Sequence, residues 1–343
     1  MSAISPVSPS EIPVRRGRGR HHGASLIGRL GWFTLITMMV ASFATLPWTL
    51  GQVQGPEDRG ARYEAGVLEL NLLPPTPLAL PADARTTLTE RTQEGLFVPN
   101  RWFGTDRFGR SVLARVLLGG AVSLSIGLSA AVIAVFIGTL IGGLSGFVGG
   151  RLDATLMRIV DILYGLPYIL LVVLISVASE GLVRRLGLDP ASWTRQLLNV
   201  ITLLVAIGGV GWLTTARVIR GQVLSLREQP FMEACRAQGM APTRQFIRHL
   251  LPNLVGPIVV YGTLAVPAAI LSESFLSFLG IGVQEPLPSW GNLASEGLGE
   301  LNTVRSHWWL LLWPCLFIAA TLLSLNLIGD RLKARFDPTH ASA

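Results

Sequence analysis

The sequence predicts an all-α polytopic membrane protein with six transmembrane helices. Three observations predict it. Of the 343 residues, 50% are hydrophobic and only 14% charged, against about 25% charged in soluble domains, and mean hydropathy is +0.50. The apolar residues gather into uncharged runs of about 20, enough to cross a ~30 Å hydrocarbon core at ~1.5 Å per residue. The basic residues concentrate in alternate segments between those runs, as one-sided positive loops do.

The first span is Leu30 to Leu50, in a stretch uncharged between Arg29 and Glu57. The run is longer than a signal-peptide core and no A-x-A-like site follows it, which predicts a retained helix. The second span is about Ala121 to Leu144, and the third about Ile159 to Ser179. The fourth is about Leu197 to Ala216, the fifth about Leu254 to Phe278 and the sixth about Trp308 to Ile328. Pro167, Pro257 and Pro267 allow kinks.

Six spans put both termini on one side. With that side cytoplasmic, the inner segments hold sixteen of the 28 basic residues and seven of the 21 acidic ones, which sets the orientation. The chain then divides into a disordered basic tail at 1–28, the first span at 29–50 and an external segment at 51–115. A five-helix core at 116–330 follows, carrying a cytoplasmic loop at 217–253, and a second tail runs over 331–343. The Leu72-Leu73-Pro74-Pro75-Thr76-Pro77 stretch predicts a partly ordered external loop without a core of its own. Basic residues flanking apolar spans are explained by membrane topology rather than by nucleic acid.

The loop at 217–253 is the most informative. Residues 229–238 fit a short helix along the membrane surface, ended by Gly239. Pro242 starts a second short helix, and Pro252 marks the start of span five. A helix–glycine–helix elbow suits docking of a partner, and an ordinary polar loop with interfacial helices fits the same residues. Gly138, Gly142, Gly146 and Gly150 recur every four residues and form a stripe for close helix packing, within the bundle or against a partner. Asp161, Glu273 and Asn326 are polar residues in or near spans that serve either a transport path or the structure; Asp161 and Glu273 lie close enough to span ends to be solvated or capping. Trp290, Trp308, Trp309 and Trp313 are read as an aromatic belt at the outer interface. Cys235 lies in the loop and Cys315 in a span, which argues against a disulfide or a metal site. No Gly-x4-Gly-Lys-Ser/Thr loop and no catalytic constellation occurs.

The run Glu233-Ala234-Cys235-Arg236-Ala237-Gln238-Gly239, followed by His249-Leu250-Leu251-Pro252, resembles the coupling loop of ABC-type importer permeases. Cys235 stands where that family usually has alanine. Three further segments resemble the second permease subunit of the oligopeptide, dipeptide and nickel transporters. They are Phe103 to Arg110, Ser277 to Asn292, and Leu327 to Leu332 with Asp337-Pro338. Ser111 stands where the first motif commonly has aspartate, losing a possible ion pair. The likeness covers about Arg101 to Pro338.

The resemblance implies a type I importer permease in a bacterial inner membrane, surrounded by lipid and without cofactor or metal. It further implies a homologous permease partner, two cytoplasmic ATPase subunits and an external solute-binding protein. This chain would supply a path and a lever, with Glu233, Ala234, Cys235, Gly239, His249, Leu251 and Pro252 in the coupling loop. Di- or oligopeptides are the expected solute, with nickel or another small solute as the alternative. A stand-alone secondary transporter would need a midplane ion site and an internal repeat. A membrane enzyme would need converging nucleophile, base or metal ligands. The sequence displays neither set.

Overall fold

The structure, a computed structural model, describes residues 21–53, 60–185, 187, 193–301 and 306–336. Helix α1 (His21–Ala44) starts inside the stretch expected to be disordered, and residues 1–20 of that stretch lie outside the described ones. A short helix α2 (Leu46–Thr49) leads to strand β1 (Gln52–Val53), which pairs antiparallel with β2 (Gly60–Ala61).

The external segment is more structured than expected. A 3-10 turn at Leu68–Leu70 and helix α3 (Ala82–Gln93) bury Val67, Leu70, Leu73 and Ala84, with Leu80, Leu88 and Phe97 around them. This small core is built from two short sets, Val67, Leu70 and Leu73 three apart and Leu80, Ala84 and Leu88 four apart, separated by the proline-rich stretch 74–77, so neither set alone announces a core. Thr105 ties it to the next motif: its hydroxyl donates to the Leu70 carbonyl at 2.7 Å and accepts from the Leu73 N–H at 2.8 Å.

Helix α4 (Val112–Val148) has 37 residues, about 55 Å at ~1.5 Å per residue, so it outreaches the hydrocarbon core at its ends. Ser111 caps it, accepting from the Ala114 N–H at 3.4 Å while donating to the Asn100 carbonyl at 2.6 Å; the residue that departs from the family's aspartate is an N-cap. Gly149 and Gly150 turn the chain with φ of 71° and 61°. Helices α5 (Gly150–Tyr164) and α6 (Tyr168–Arg185) follow, bent by 88° to each other. The expected third span thus contains a sharp bend. Pro167 gives its carbonyl to the Leu171 N–H at 3.1 Å, and it cannot continue α5 because it has no N–H to donate.

Helix α7 (Trp193–Arg227) precedes α8 (Pro230–Ala237) and α9 (Pro242–Gln245). The segment from Pro242 is not a separate short helix. It runs through a π turn, Phe246–Leu250, straight into α10 (Leu251–Phe278). In that turn the Leu251 N–H reaches back five residues to the Phe246 carbonyl. Pro252, which has no N–H for the Arg248 carbonyl, therefore sits inside a continuous rod, and the widened turn absorbs it. Helix α11 (Trp290–Gly299) and α12 (Trp309–Phe336) complete the chain. Helix α12 takes in Arg331 to Phe336 of the expected tail, and Asp337-Pro338 lie outside the described residues. Among the described residues five stretches are long and apolar enough to cross a membrane, and six if the bent pair is counted as one span.

Helix α4 sits at the centre. One core joins it to α6, α7 and α10 around Ile126, Ala130, Ile207 and Val210. A second joins it to α1, α10, α11 and α12 around Val116, Ile270, Trp290 and Leu310. Trp290 and Trp309 are buried in that second core, where Trp290 Nε1 donates to the Val116 carbonyl at 3.0 Å. Trp313 stacks on Phe103 at 3.9 Å, which leaves only Trp308 of the expected belt exposed. Tryptophan near a span end suits either an interface or a core with a carbonyl in reach of its N–H; Trp290 and Trp309 found carbonyls, the latter that of Thr105 at 3.4 Å, while Trp313 is held by its ring stacking.

Candidate functional site

The elbow between α7 and α10 is built from its inner side outward. Met232 and Cys235 of α8 are buried with Ile219, Val223, Leu250 and Leu254. Cys235 therefore faces the bundle rather than the exposed side of the loop. Pro230 opens α8 at a first-turn position. At the other end the Met240 N–H reaches the Cys235 carbonyl at 3.1 Å and the Gly239 N–H the Arg236 carbonyl at 3.0 Å. That is the Schellman pair of bonds, and it places Gly239 in the left-handed region with φ of 66°. Arg236 Nη2 caps α7 on the Arg227 carbonyl at 2.6 Å, and buried Gln245 holds the Met240 carbonyl at 2.6 Å. Glu233, Ala234, Arg236, Ala237, Gln238 and Gly239 are exposed. His249 and Leu251 are half-buried on the rod and Pro252 is exposed. The result is a rigid knob with a packed back and a polar front. Gln245 and Arg236 were not singled out in the sequence, where a Gln and an Arg in a polar loop carry no signal.

The opposite end of the bundle holds an ion cluster. Asp106 Oδ1 accepts from the Phe108 and Arg110 N–H groups, each at 2.9 Å, which folds the Thr105–Arg110 turn around one carboxylate. Its Oδ2 meets Arg110 Nε at 2.6 Å and Arg115 Nη1 at 2.8 Å. Arg115, 1% exposed, is clamped by both oxygens of Glu296 at 2.6 and 2.9 Å, and Glu285 meets both arginines at 3.2 and 3.4 Å. Burial pushes Glu285 up, but the Arg110 and Arg115 guanidiniums outweigh it and hold the carboxyl below the usual range. Two motifs that stand far apart in the sequence thus form one site, and Arg115 and Glu296, which join them, were not foreseen.

The polar residues in spans separate. Glu273 is fully buried, against the expectation of a solvated or capping place near a span end. It accepts from Ser277 Oγ at 2.8 Å and Ser274 Oγ at 3.3 Å, and the hydroxyls of Ser123 and Ser289 also reach it. Ser289 caps α11, so this carboxyl ties α4, α10 and α11 together. Asp161 belongs to the last turn of α5, exposed and paired with Arg217 at 2.7 Å. Asn326 is exposed on α12.

Gly138, Gly142 and Gly146 face α7. A Cβ on them would strike Thr215 Cβ at 2.5 Å, the Ala216 carbonyl, and Val223 Cβ at 2.9 Å. Gly150 is not part of this stripe: it lies past the end of α4, with open space where a Cβ would go. Beside the stripe, small residues leave a cavity of about 310 Å³ between α4, α6, α7 and α10. Ala130, Ala134, Tyr168, Thr214, Thr215 and Tyr261 are among its walls. Among the described residues no group of three or more His, Cys, Asp or Glu is arranged to hold a metal ion.

Residues 134–341 match the family described as "Binding-protein-dependent transport system inner membrane component". The oligopeptide transport system permease protein OppC of Escherichia coli (strain K12) is 46% identical over 237 residues, covering 69% of this chain and 72% of that one. The dipeptide transport system permease protein DppC of Bacillus subtilis (strain 168) is 42% identical over 239 residues, covering 70% and 69%. OppC of Mycobacterium bovis (strain ATCC BAA-935 / AF2122/97) is 34% identical over 241 residues, covering 70% and 77%. The chain belongs to the binding-protein-dependent transport system inner membrane components, as a multi-pass, non-catalytic permease subunit of an ABC-type importer.

Proposed function

We propose that this subunit serves the import of di- or oligopeptides. The observation that carries the reading is the 46% identity, over most of the chain, to a permease named for oligopeptides. Nickel ranks second, as none of the relatives above is named for it. The arginine asymmetry supports an orientation with both termini and the elbow in the cytoplasm. A homologous permease completes the membrane part, two ATPase subunits hydrolyse ATP on the elbow side, and a solute-binding protein delivers from the ion-cluster side. ATP binding closes the ATPases and draws the elbows together. Because α9, the π turn and α10 are one rod, a push at Gly239 is carried into the bundle, which rocks to switch access. The cavity lined by Tyr168, Tyr261 and Thr215 is this subunit's wall of the path.

The test is uptake in cells stripped of their own peptide permeases. Expressed with its cognate ATPases and binding protein, the chain should restore accumulation of a labelled oligopeptide. Accumulation of nickel with no peptide uptake would overturn the peptide reading.

A further inference from the structure

Helix α5 has a face that the bundle does not cover. On the bundle side, Val160 is buried and Met157 and Leu163 pack on the α4–α7 core. Asp153 bonds Arg220 at 2.6 and 2.7 Å and also meets Ser145; Asp161 bonds Arg217, whose guanidinium lies 3.9 Å from the centre of the Tyr164 ring. These bonds fix the depth of α5. Arg217 is the first charged residue after the uncharged run Leu197–Ala216 of α7, and Arg220 lies one turn further. The helix is therefore held at the level where the apolar part of the bundle ends. Its axis is set too: α5 stands at 88° to α6, so where α6 crosses a bilayer, α5 lies along its surface.

The outward face then reads clearly. Leu152, Ile159 and Ile162 are 45%, 47% and 63% exposed. At about 100° per residue they fall within roughly 80° of one another. Thr155, in the same strip, donates its hydroxyl to the Arg151 carbonyl at 2.9 Å, so the strip presents no unsatisfied hydroxyl. Arg151 and Arg158, seven residues apart, border the strip, and both are exposed. Neither pairs with a carboxylate among the described residues, while both aspartates of the helix are turned toward α7. An apolar strip edged by cations, at bilayer-surface depth and parallel to it, has the chemistry of an interfacial helix.

We propose that α5 is a binding surface for anionic phospholipid, with Leu152, Ile159 and Ile162 in the outer acyl region and Arg151 and Arg158 on the headgroup phosphates. The inference rests on the reading of the chain as a membrane-spanning permease. By tying the α5 end of the bent pair to the bilayer surface next to the elbow, it would make the importer sensitive to headgroup charge.

The test uses the full chain in its assembled complex, with Cys235→Ala and Cys315→Ala, placed in bilayers of phosphatidylcholine with phosphatidylglycerol. Nitroxide labels at Ile159→Cys and Ile162→Cys should collide with oxygen more than with an aqueous nickel chelate, and a label at Ala154→Cys, on the outward polar side, should do the reverse. A label at Val40→Cys in α1 reports whether the bundle itself sits in the bilayer, so its failure alone counts against the membrane reading. Labels at 159 and 162 that meet the chelate freely, or that are sheltered from both reagents by a protein neighbour, would overturn the proposal. Separately, Arg151→Gln and Arg158→Gln should lower co-purifying phosphatidylglycerol about fivefold for each arginine removed. Retention equal to the parent's would overturn the headgroup assignment.

Discussion

Arg115 shows how much one side chain can decide. It is 1% exposed and is neutralised by Asp106 and Glu296. Replacing it with Met keeps the volume but leaves Asp106, Glu285 and Glu296 with Arg110 alone, and breaking a buried pair from one side costs up to about 3–5 kcal/mol. Arg115→Met should therefore lower the melting temperature of the purified complex and the amount of chain in the membrane. Glu285 adds a pH dependence. Its folded pKa is depressed, so its contribution is complete above the ordinary glutamate value and is lost as pH falls through the depressed one. Melting temperature measured against pH should fall off on the acid side, and Glu285→Gln should flatten that fall. The sequence offered the Phe103–Arg110 and Ser277–Asn292 segments as separate motifs. What it did not offer was their meeting, because long-range pairing leaves no local pattern. The tryptophans were misread for a related reason: burial of Trp290 depends on a carbonyl that α4 supplies.

At the scale of elements, spans were legible and their interruptions were not. Among the described residues, uncharged runs located the five long apolar helices and fell across the bent pair α5–α6, because charge in a lipid-facing helix is costly. The bend between α5 and α6 was legible only as a kink that Pro167 allows, and not as a turn of 88°, because Ile159–Ser179 is nearly uncharged and hydropathy reads straight through Gly165-Leu166-Pro167. The continuity of 242–278 escaped for the opposite reason. Prolines at 242 and 252 read as boundaries, yet one starts the rod and a π turn accommodates the other. The glycine stripe makes a prediction at this scale. At Gly142 a Cβ would run into the Ala216 carbonyl, which is backbone and cannot rotate away. Gly142→Leu should force α4 and α7 apart, and overpacking of this kind costs roughly 1–3 kcal/mol or more. Detergent-extracted Gly142→Leu should melt earlier. Gly221→Ala on α7, where a Cβ meets nothing within 4 Å, should match the parent or melt slightly later.

For the whole molecule, the central claim is that this chain is a lever and a path worked by its partners. In the proposed function the lever arm is the elbow, and Gly239 is the residue on which its shape most depends. Nothing lies within 4 Å of a Cβ built there, so the cost of a side chain is set by its φ of 66° and not by crowding. A β-branched residue in that region is an outlier costing about 1–2 kcal/mol, enough to reshape the loop and release the two bonds that close α8. Glu233, exposed on the front of α8, tests the docking contact itself. The most direct measurement is ATP-driven peptide uptake into proteoliposomes holding the complete importer, with ATPase co-purification scored beside it. Gly239→Val and Glu233→Arg should each abolish uptake and weaken ATPase retention, while the chain inserts at the parent level. Full uptake with full ATPase retention in both variants, or ion-driven uptake by this chain alone, would contradict the account.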